Sequence, residues 1–285
     1  MKLKLIAVAA MLAASGSASA ITAADDVAGG NAFLLLTVLD ANFNGGVGRS
    51  YTRSLEVAMN DFGTANRPTG GFTSNVDLLS SGNQNWATGA LWSTFTAGMD
   101  AATISGLQWD VTALDSNGVS SADQRRILTT SATNLVDQIA LSGVSTTNSE
   151  LNNAVTNQDI YWDAAIATMG AGTEIIVDDT ASNAFAISVA VHSTNFSGKT
   201  TDFSTVGQVG DSMGFYYLTR TSSSNTAEAL AVAYGNANGA SSFTLGTDGA
   251  LNFATAAPVP EASTYGMMLA GLGLVGFMAK RRRSI

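Results

Sequence analysis

Between residues 30 and 255 the apolar positions fall into short runs with two different periods. Phe33-Leu34-Leu35-Leu36-Thr37-Val38-Leu39 is apolar on both faces and predicts a buried strand. A loop dense in turn formers follows, Asp40-Ala41-Asn42-Phe43-Asn44-Gly45-Gly46. Then Tyr51, Arg53, Leu55, Val57 and Met59 alternate with Thr52, Ser54, Glu56, Ala58 and Asn60, the period of two that marks a half-buried strand. The two runs together predict a hairpin. Leu107, Trp109, Val111 and Ala113 alternate with Gln108, Asp110 and Thr112, and Asp115-Ser116-Asn117-Gly118 ends that strand. Further short runs at 175–177, 185–191, 215–219, 229–234 and 242–245 are separated by Gly, Asn, Ser and Asp, the spacing of a sandwich.

Helical spacing is rarer. Leu91, Phe95 and Met99 stand four apart and predict a short helix within 85–99. Leu135, Val136 and Ile139 put a stripe on 132–141, stopped by Gly143. Leu151, Ala154, Val155, Trp162, Ala165, Ile166 and Met169 give a longer helix, with Asn148 or Ser149 as its cap and Gly170 as its stop. The pattern therefore predicts an α+β, mainly β fold: one exported domain over 21–253, a β-sandwich-like body carrying two or three helices.

The two ends obey other rules. Lys2 and Lys4 precede an apolar stretch at 3–14 and the small-residue site Ala18-Ser19-Ala20, so 1–20 reads as a secretory signal peptide that signal peptidase removes after Ala20. At the far end, 254–264 is a linker with no helical or strand period, and 265–279 is apolar. Lys280, Arg281, Arg282 and Arg283 then form a basic stop in the tail 280–285. As a helix the apolar run is about 22 Å long against about 30 Å of hydrocarbon, so it spans as a short single membrane helix only with snorkelling flanks or a thinned bilayer. With the body outside and the basic cluster inside, it follows the positive-inside rule.

The order Val259-Pro260-Glu261-Ala262-Ser263-Thr264, apolar run, Arg-rich tail closely resembles the PEP-CTERM sorting signal of Gram-negative bacteria, with Ala262 where the second proline would stand. The resemblance implies that an exosortase recognises Pro260 and Glu261, cuts nearby, and passes on to the cell surface or matrix a protein first held in the inner membrane on the periplasmic side. Any cleavage nucleophile would then belong to the exosortase.

Charge separates the body from its ends. The formal net charge is −9, but six of the 13 basic residues lie in the terminal signals while all 22 acidic residues lie between Asp25 and Glu261. The exported part carries a net charge near −15. That excludes nucleic acid and anionic lipid head groups as natural partners of the body and favours divalent cations or neutral glycans. Cysteine is absent, so disulfides and thiolate metal sites are unavailable, and the domain depends on its own core.

Candidate chemistry is sparse. His192, the single histidine, follows an apolar run and precedes Ser193; with Asp202 it could be counted into a triad, yet no Gly-x-Ser-x-Gly elbow is present and a lone histidine at a strand end is commonly an ordinary one. Acid pairs for glycoside hydrolysis could be drawn from Asp178, Asp179, Asp110, Asp159 and Asp163, but solvated turn acids explain them more simply. Asp40-x-Asn42-x-Asn44-Gly45 matches the first half of a calcium loop and makes calcium the one cofactor that the pattern admits. Tyr51 stands where the twelfth-position Glu would be, and a plain hairpin loop explains the same residues. Asn195-Phe196-Ser197 is a formal sequon of little weight. Trp86, Trp92, Trp109, Trp162, Tyr216 and Tyr217 could stack on sugars, although they fall on the apolar faces of the expected elements. The leading expectation is a non-catalytic protein of the cell surface or extracellular polymeric (biofilm) matrix, structural or adhesive, with exopolysaccharide as a candidate partner. A glycan- or calcium-binding adhesin comes next, and a secreted polysaccharide hydrolase third.

Overall fold

The run Phe33–Asp40 becomes an interior strand of a large sheet, because a segment apolar on both faces is stable only where both faces are covered. The computed structural model describes residues 32–59, 76–77, 83–116, 125–131, 147–178, 182–186, 205–236, 239–255 and 267–272. Within these, the strands are β1 (Phe33–Asp40), β2 (Arg49–Ala58), β3 (Val76–Asp77), β4 (Gln84–Trp86), β5 (Gln108–Asp115), β6 (Arg126–Ser131) and β7 (Glu174–Val177). They continue with β8 (Gly207–Gln208), β9 (Ser212–Thr219), β10 (Leu230–Asn236), β11 (Gly239–Ala240), β12 (Ser242–Leu245) and β13 (Leu251–Ala254). The helices are α1 (Phe43–Gly46), α2 (Trp92–Phe95), α3 (Ala101–Ser105) and α4 (Asn148–Met169).

The strands form one curled sheet, in the order β4-β13-β12-β9-β6-β5-β1-β2-β7. Its pairs are antiparallel except for β3 with β10. The sheet forks twice. One edge of β9 pairs with β6, while the other takes β12 near Met213 and β10 near Tyr217. One edge of β5 pairs with β1, while the other takes β8 at Gln108 and β6 from Thr112 onward. These forks replace the expected sandwich of two sheets. Short apolar runs separated by turns are common to both arrangements, and periodicity does not say whether successive runs join one sheet or two.

The two faces bury different chemistry. On one lie Tyr51, Trp109, Phe215, Phe243 and Phe253, with Trp92 and Phe95 from α2. The other carries Thr37, Thr52 and Asp110 in one row across β2, β1 and β5, with Thr112 and Thr129 beside them. All five are buried, because α4 packs over this face. The Tyr161 hydroxyl reaches down from α4 to Thr52 Oγ1 at 2.7 Å and Thr37 Oγ1 at 3.1 Å. The alternation in β2 thus predicts the strand correctly, but its polar side faces a helix rather than water.

The cap of α4 is Thr147, one residue before Asn148 and two before Ser149, the two expected caps. Thr147 accepts from the Glu150 N–H, and the Glu150 carboxylate accepts from the Thr147 N–H, a full capping box. Gly170 ends it as expected, at φ +58°. Its first turn is fixed to the chain between β9 and β10 by two buried side chains. Asn148 donates to the carbonyls of Ser222 and Ser224, while the Arg220 guanidinium donates to the carbonyls of Asn148, Ser222 and Ser223.

Other expectations fare unevenly. The hairpin of β1 and β2 forms, as do strands at 108–115, 174–177, 212–219, 230–236 and 242–245. The helix expected within 85–99 shrinks to the four residues of α2. Its first part is instead β4, pinned to β13 by the Asn85–Asn252 hydrogen bond. The helix expected at 132–141 lies outside the described residues, as does most of the run at 185–191; Phe185 and Ala186, which are described, are buried in a non-strand segment.

Candidate functional site

The loop Asp40–Asn44 is built by backbone geometry. Asp40 Oδ1 accepts the Asn42 N–H at 2.9 Å, an Asx-type turn that starts the reversal from β1. Asn44, Gly45, Gly46 and Gly48 all take positive φ, which asparagine and glycine reach at low cost. Gly48 also lies against Phe185, where a Cβ would come within 2.9 Å of the ring. Arg49 closes the hairpin, with its guanidinium 3.7 Å over the Phe43 ring and two hydrogen bonds to Asp178. The spacing that resembles half a calcium loop therefore has a complete explanation as a left-handed turn.

Asp40 and Asn42 nevertheless share a cleft of about 560 Å³ with Ala41, Ala102, Thr103, Gln108 and Gln208. Asn44 is not among its lining residues. The cleft follows directly from the fork in β5, which brings β8 alongside its first residues. Leu39 of β1, Gln108 of β5 and Gln208 of β8 stand in one cross-strand row. β8 is fixed by its own backbone: the Trp109 indole N–H donates to the Gln208 carbonyl at 2.7 Å, and the Gln208 N–H donates to Asp211. Thr103 comes from α3, whose N-cap Asp100 accepts the Thr103 N–H; those hydrogen bonds hold the Asp100 carboxyl below the usual range. The side-chain amides of Gln108 and Gln208 are exposed and have no hydrogen-bond partner among the described residues. Sequence reasoning missed both glutamines. Gln108 shows there only as a polar position in an alternating strand, and nothing local marks Gln208 as its neighbour.

The other candidates do not gather at this cleft. Asp110 is buried beneath α4, and Asp178 is paired with Arg49. Asp159 and Asp163 belong to α4, and the cleft's only acidic lining residue among those described is Asp40. Among the described residues no group of three or more His, Cys, Asp or Glu side chains is placed to hold a metal. The aromatic residues fill the core. Trp92, Trp109, Trp162, Tyr216 and Tyr217 are buried, and half-buried Trp86 stacks on Phe243 while donating to the Leu55 carbonyl. His192, Ser193, Asn195, Asp202 and Asp179 lie outside the described residues, as do Ala18, Ala20, Pro260, Glu261 and the cluster Lys280 to Arg283.

Past β13, the described stretch 267–272 is helical and exposes Met267, Met268, Leu269 and Leu272. No helix of the described residues is long and apolar enough to cross a membrane, and most of the expected span at 265–279 lies outside them. The surrounding sequence, compared with protein families, matches over its whole signal. Residues 258–283 match the PEP-CTERM protein-sorting motif. The PEP-CTERM motif implies an exported protein, anchored to the membrane as a precursor and processed by an exosortase. The match confirms the resemblance carried by Val259 to Arg283 and leaves the body without a recognised family. No curated protein and no solved structure matches the chain.

Proposed function

We propose that this chain is a non-catalytic protein of the cell surface or extracellular polymeric matrix, structural or adhesive, delivered by its PEP-CTERM segment. The sorting motif at 258–283 carries the reading, because it marks the chain as an exported substrate of an exosortase. The body itself adds support of a different kind: a disulfide-free sheet with a large apolar core, a strongly acidic exported composition, and a cleft with a single acid among its described lining residues.

The test is fractionation with an antibody to the body, in a host that has an exosortase and in the same host without it. The mature body is expected at the surface or in the matrix in the first and as a longer inner-membrane form in the second. Glu261→Ala changes neither the apolar run nor the basic stop, and is expected to reproduce the second result in the first host. A Glu261→Ala protein of wild-type mass and yield at the surface would show that the segment acts only as a membrane anchor.

A further inference from the structure

We infer that the cleft between the start of β5, β8 and the β1–β2 loop binds an uncharged saccharide unit through the side-chain amides of Gln108, Gln208 and Asn42. The volume of about 560 Å³ falls within the ~300–1,000 Å³ range of small-molecule sites. What selects the ligand is the donor and acceptor inventory. A carboxamide offers two N–H donors and an acceptor oxygen, and a sugar hydroxyl offers one donor and an acceptor, so the three carboxamide residues that line the cleft match a ligand whose every edge both donates and accepts. Thr103 adds a hydroxyl of the same dual character.

Charge narrows the class further. The cleft has no cationic lining residue among those described, and it holds Asp40, so phosphate, sulfate and uronate groups meet repulsion without compensation. A cationic ligand would find one carboxylate, one of whose oxygens already accepts the Asn42 N–H. Ala41 and Ala102, both exposed, give the C–H face of a ring a small apolar surface.

Pre-organisation favours the same conclusion. The Gln208 carbonyl and N–H are engaged by Trp109 and Asp211, which fixes the backbone of β8. Its side-chain amide is therefore presented from a rigid strand directly opposite Gln108, and little backbone ordering remains to be done on binding.

This rests on the reading of the chain as a surface or matrix protein, and its failure would leave that reading standing, because fractionation measures location without any ligand. The mature protein, purified in a zwitterionic detergent that carries no sugar, is titrated with neutral gluco-, galacto- and manno-configured trisaccharides and with a hexuronate trisaccharide. Saturation-transfer NMR reports contact and calorimetry reports affinity. At least one neutral trisaccharide is expected to bind more tightly than the hexuronate. Gln108→Ala and Gln208→Ala should each weaken binding by about three- to ten-fold. Asn85→Ala, on β4, should leave it unchanged. A monodeoxy analogue of the best ligand should lose more affinity than its lost surface explains, because it leaves an amide unpaired. Three results overturn the inference: no neutral trisaccharide binding at ~10 mM, tighter binding of the hexuronate, or wild-type affinity in the folded double variant Gln108→Ala/Gln208→Ala. Binding abolished by a calcium chelator would also overturn it, since the contact proposed is direct.

Discussion

Replacing Tyr161 by Phe removes a single oxygen from the interface between α4 and the sheet, and that oxygen serves two buried threonines at once. Each hydrogen bond contributes about 0.5–1.5 kcal/mol net, and a buried hydroxyl left unpaired costs about 1–3 kcal/mol. The hydroxyls of Thr37 and Thr52 stand opposite each other across β1 and β2, so part of that loss is recovered when they bond to one another. The expected cost is therefore about 2–3 kcal/mol, or roughly 4–10 °C in Tm for a domain of this size. Urea and thermal unfolding followed by tryptophan fluorescence measure it. Adding Thr37→Val and Thr52→Val to Tyr161→Phe should restore at least half of the loss, since removing all the partners of a buried polar cluster is far less costly than removing one. Burial also holds the Tyr161 hydroxyl protonated well above its ordinary range, against the pull of the Thr37 and Thr52 hydrogen bonds. The unfolded chain ionises its tyrosines near pH 10, so above that pH it sheds a proton that the native state keeps, and stability falls by about 1.4 kcal/mol per pH unit per such group. Tyr51 and Tyr234 are raised in the same way, chiefly by burial, so Tyr161→Phe should remove about a third of the alkaline slope. A loss under about 0.5 kcal/mol, or a triple variant worse than the single one, would refute the account of a bonded polar layer beneath α4.

Asp115→Ala removes the carboxylate that pairs with the buried Arg126 guanidinium, whose Nη2 lies 2.6 Å from Asp115 Oδ2, and should cost about 3–5 kcal/mol by urea unfolding. Gly89→Ala places a methyl group into the Tyr51 hydroxyl and within 2.7 Å of Glu174 Oε1, where that carboxylate accepts the Ala90 and Leu91 N–H groups. Its expected cost is about 1–3 kcal/mol, read as a drop in Tm. Calcium at millimolar concentration should leave the Tm of the mature protein unchanged, since Asp40 already serves the turn and Asn44 lies off the cleft. A rise that Asp40→Ala abolishes would mean that the loop binds the ion.

The elements most legible from sequence were those whose periodicity ran longest. Leu151 to Met169 repeats helical spacing over five turns, and only the cap differs, Thr147 in place of Asn148 or Ser149, because Thr147 and Glu150 form a capping box. β1 and β12 were readable as apolar runs bounded by turn residues. β6 escaped because Arg126-Ile127-Leu128-Thr129-Thr130-Ser131 does not alternate, being buried on both faces with polar residues paired inside. β4 escaped because three residues at a sheet edge carry no period at all. The PEP-CTERM motif is legible in the sequence, since its chemistry is linear in the chain. The cleft is not legible in the sequence: Asp40 and Asn42 stand in one motif there only as a candidate calcium loop, whereas Gln108 and Gln208 are a hundred positions apart and meet only through the fork in β5.

The placement of β13 has a mechanical consequence. This last strand ends at Ala254, a few residues before the sorting motif, and it is held on both sides, by β12 and by β4. Thr255 adds a further tie through its N–H and hydroxyl to Asn83. Any tension transmitted from a C-terminal attachment enters the domain here. Along the strand axis it loads two ladders of hydrogen bonds in shear, so that they resist together rather than opening one after another. Phe253, wedged against Phe215 and Phe243, must leave the core before the strand can slide. The domain is thus reinforced at the point where anchoring and drag would meet, and its resistance to pulling is set by the few residues from Leu251 to Thr255 together with the strands that grip them.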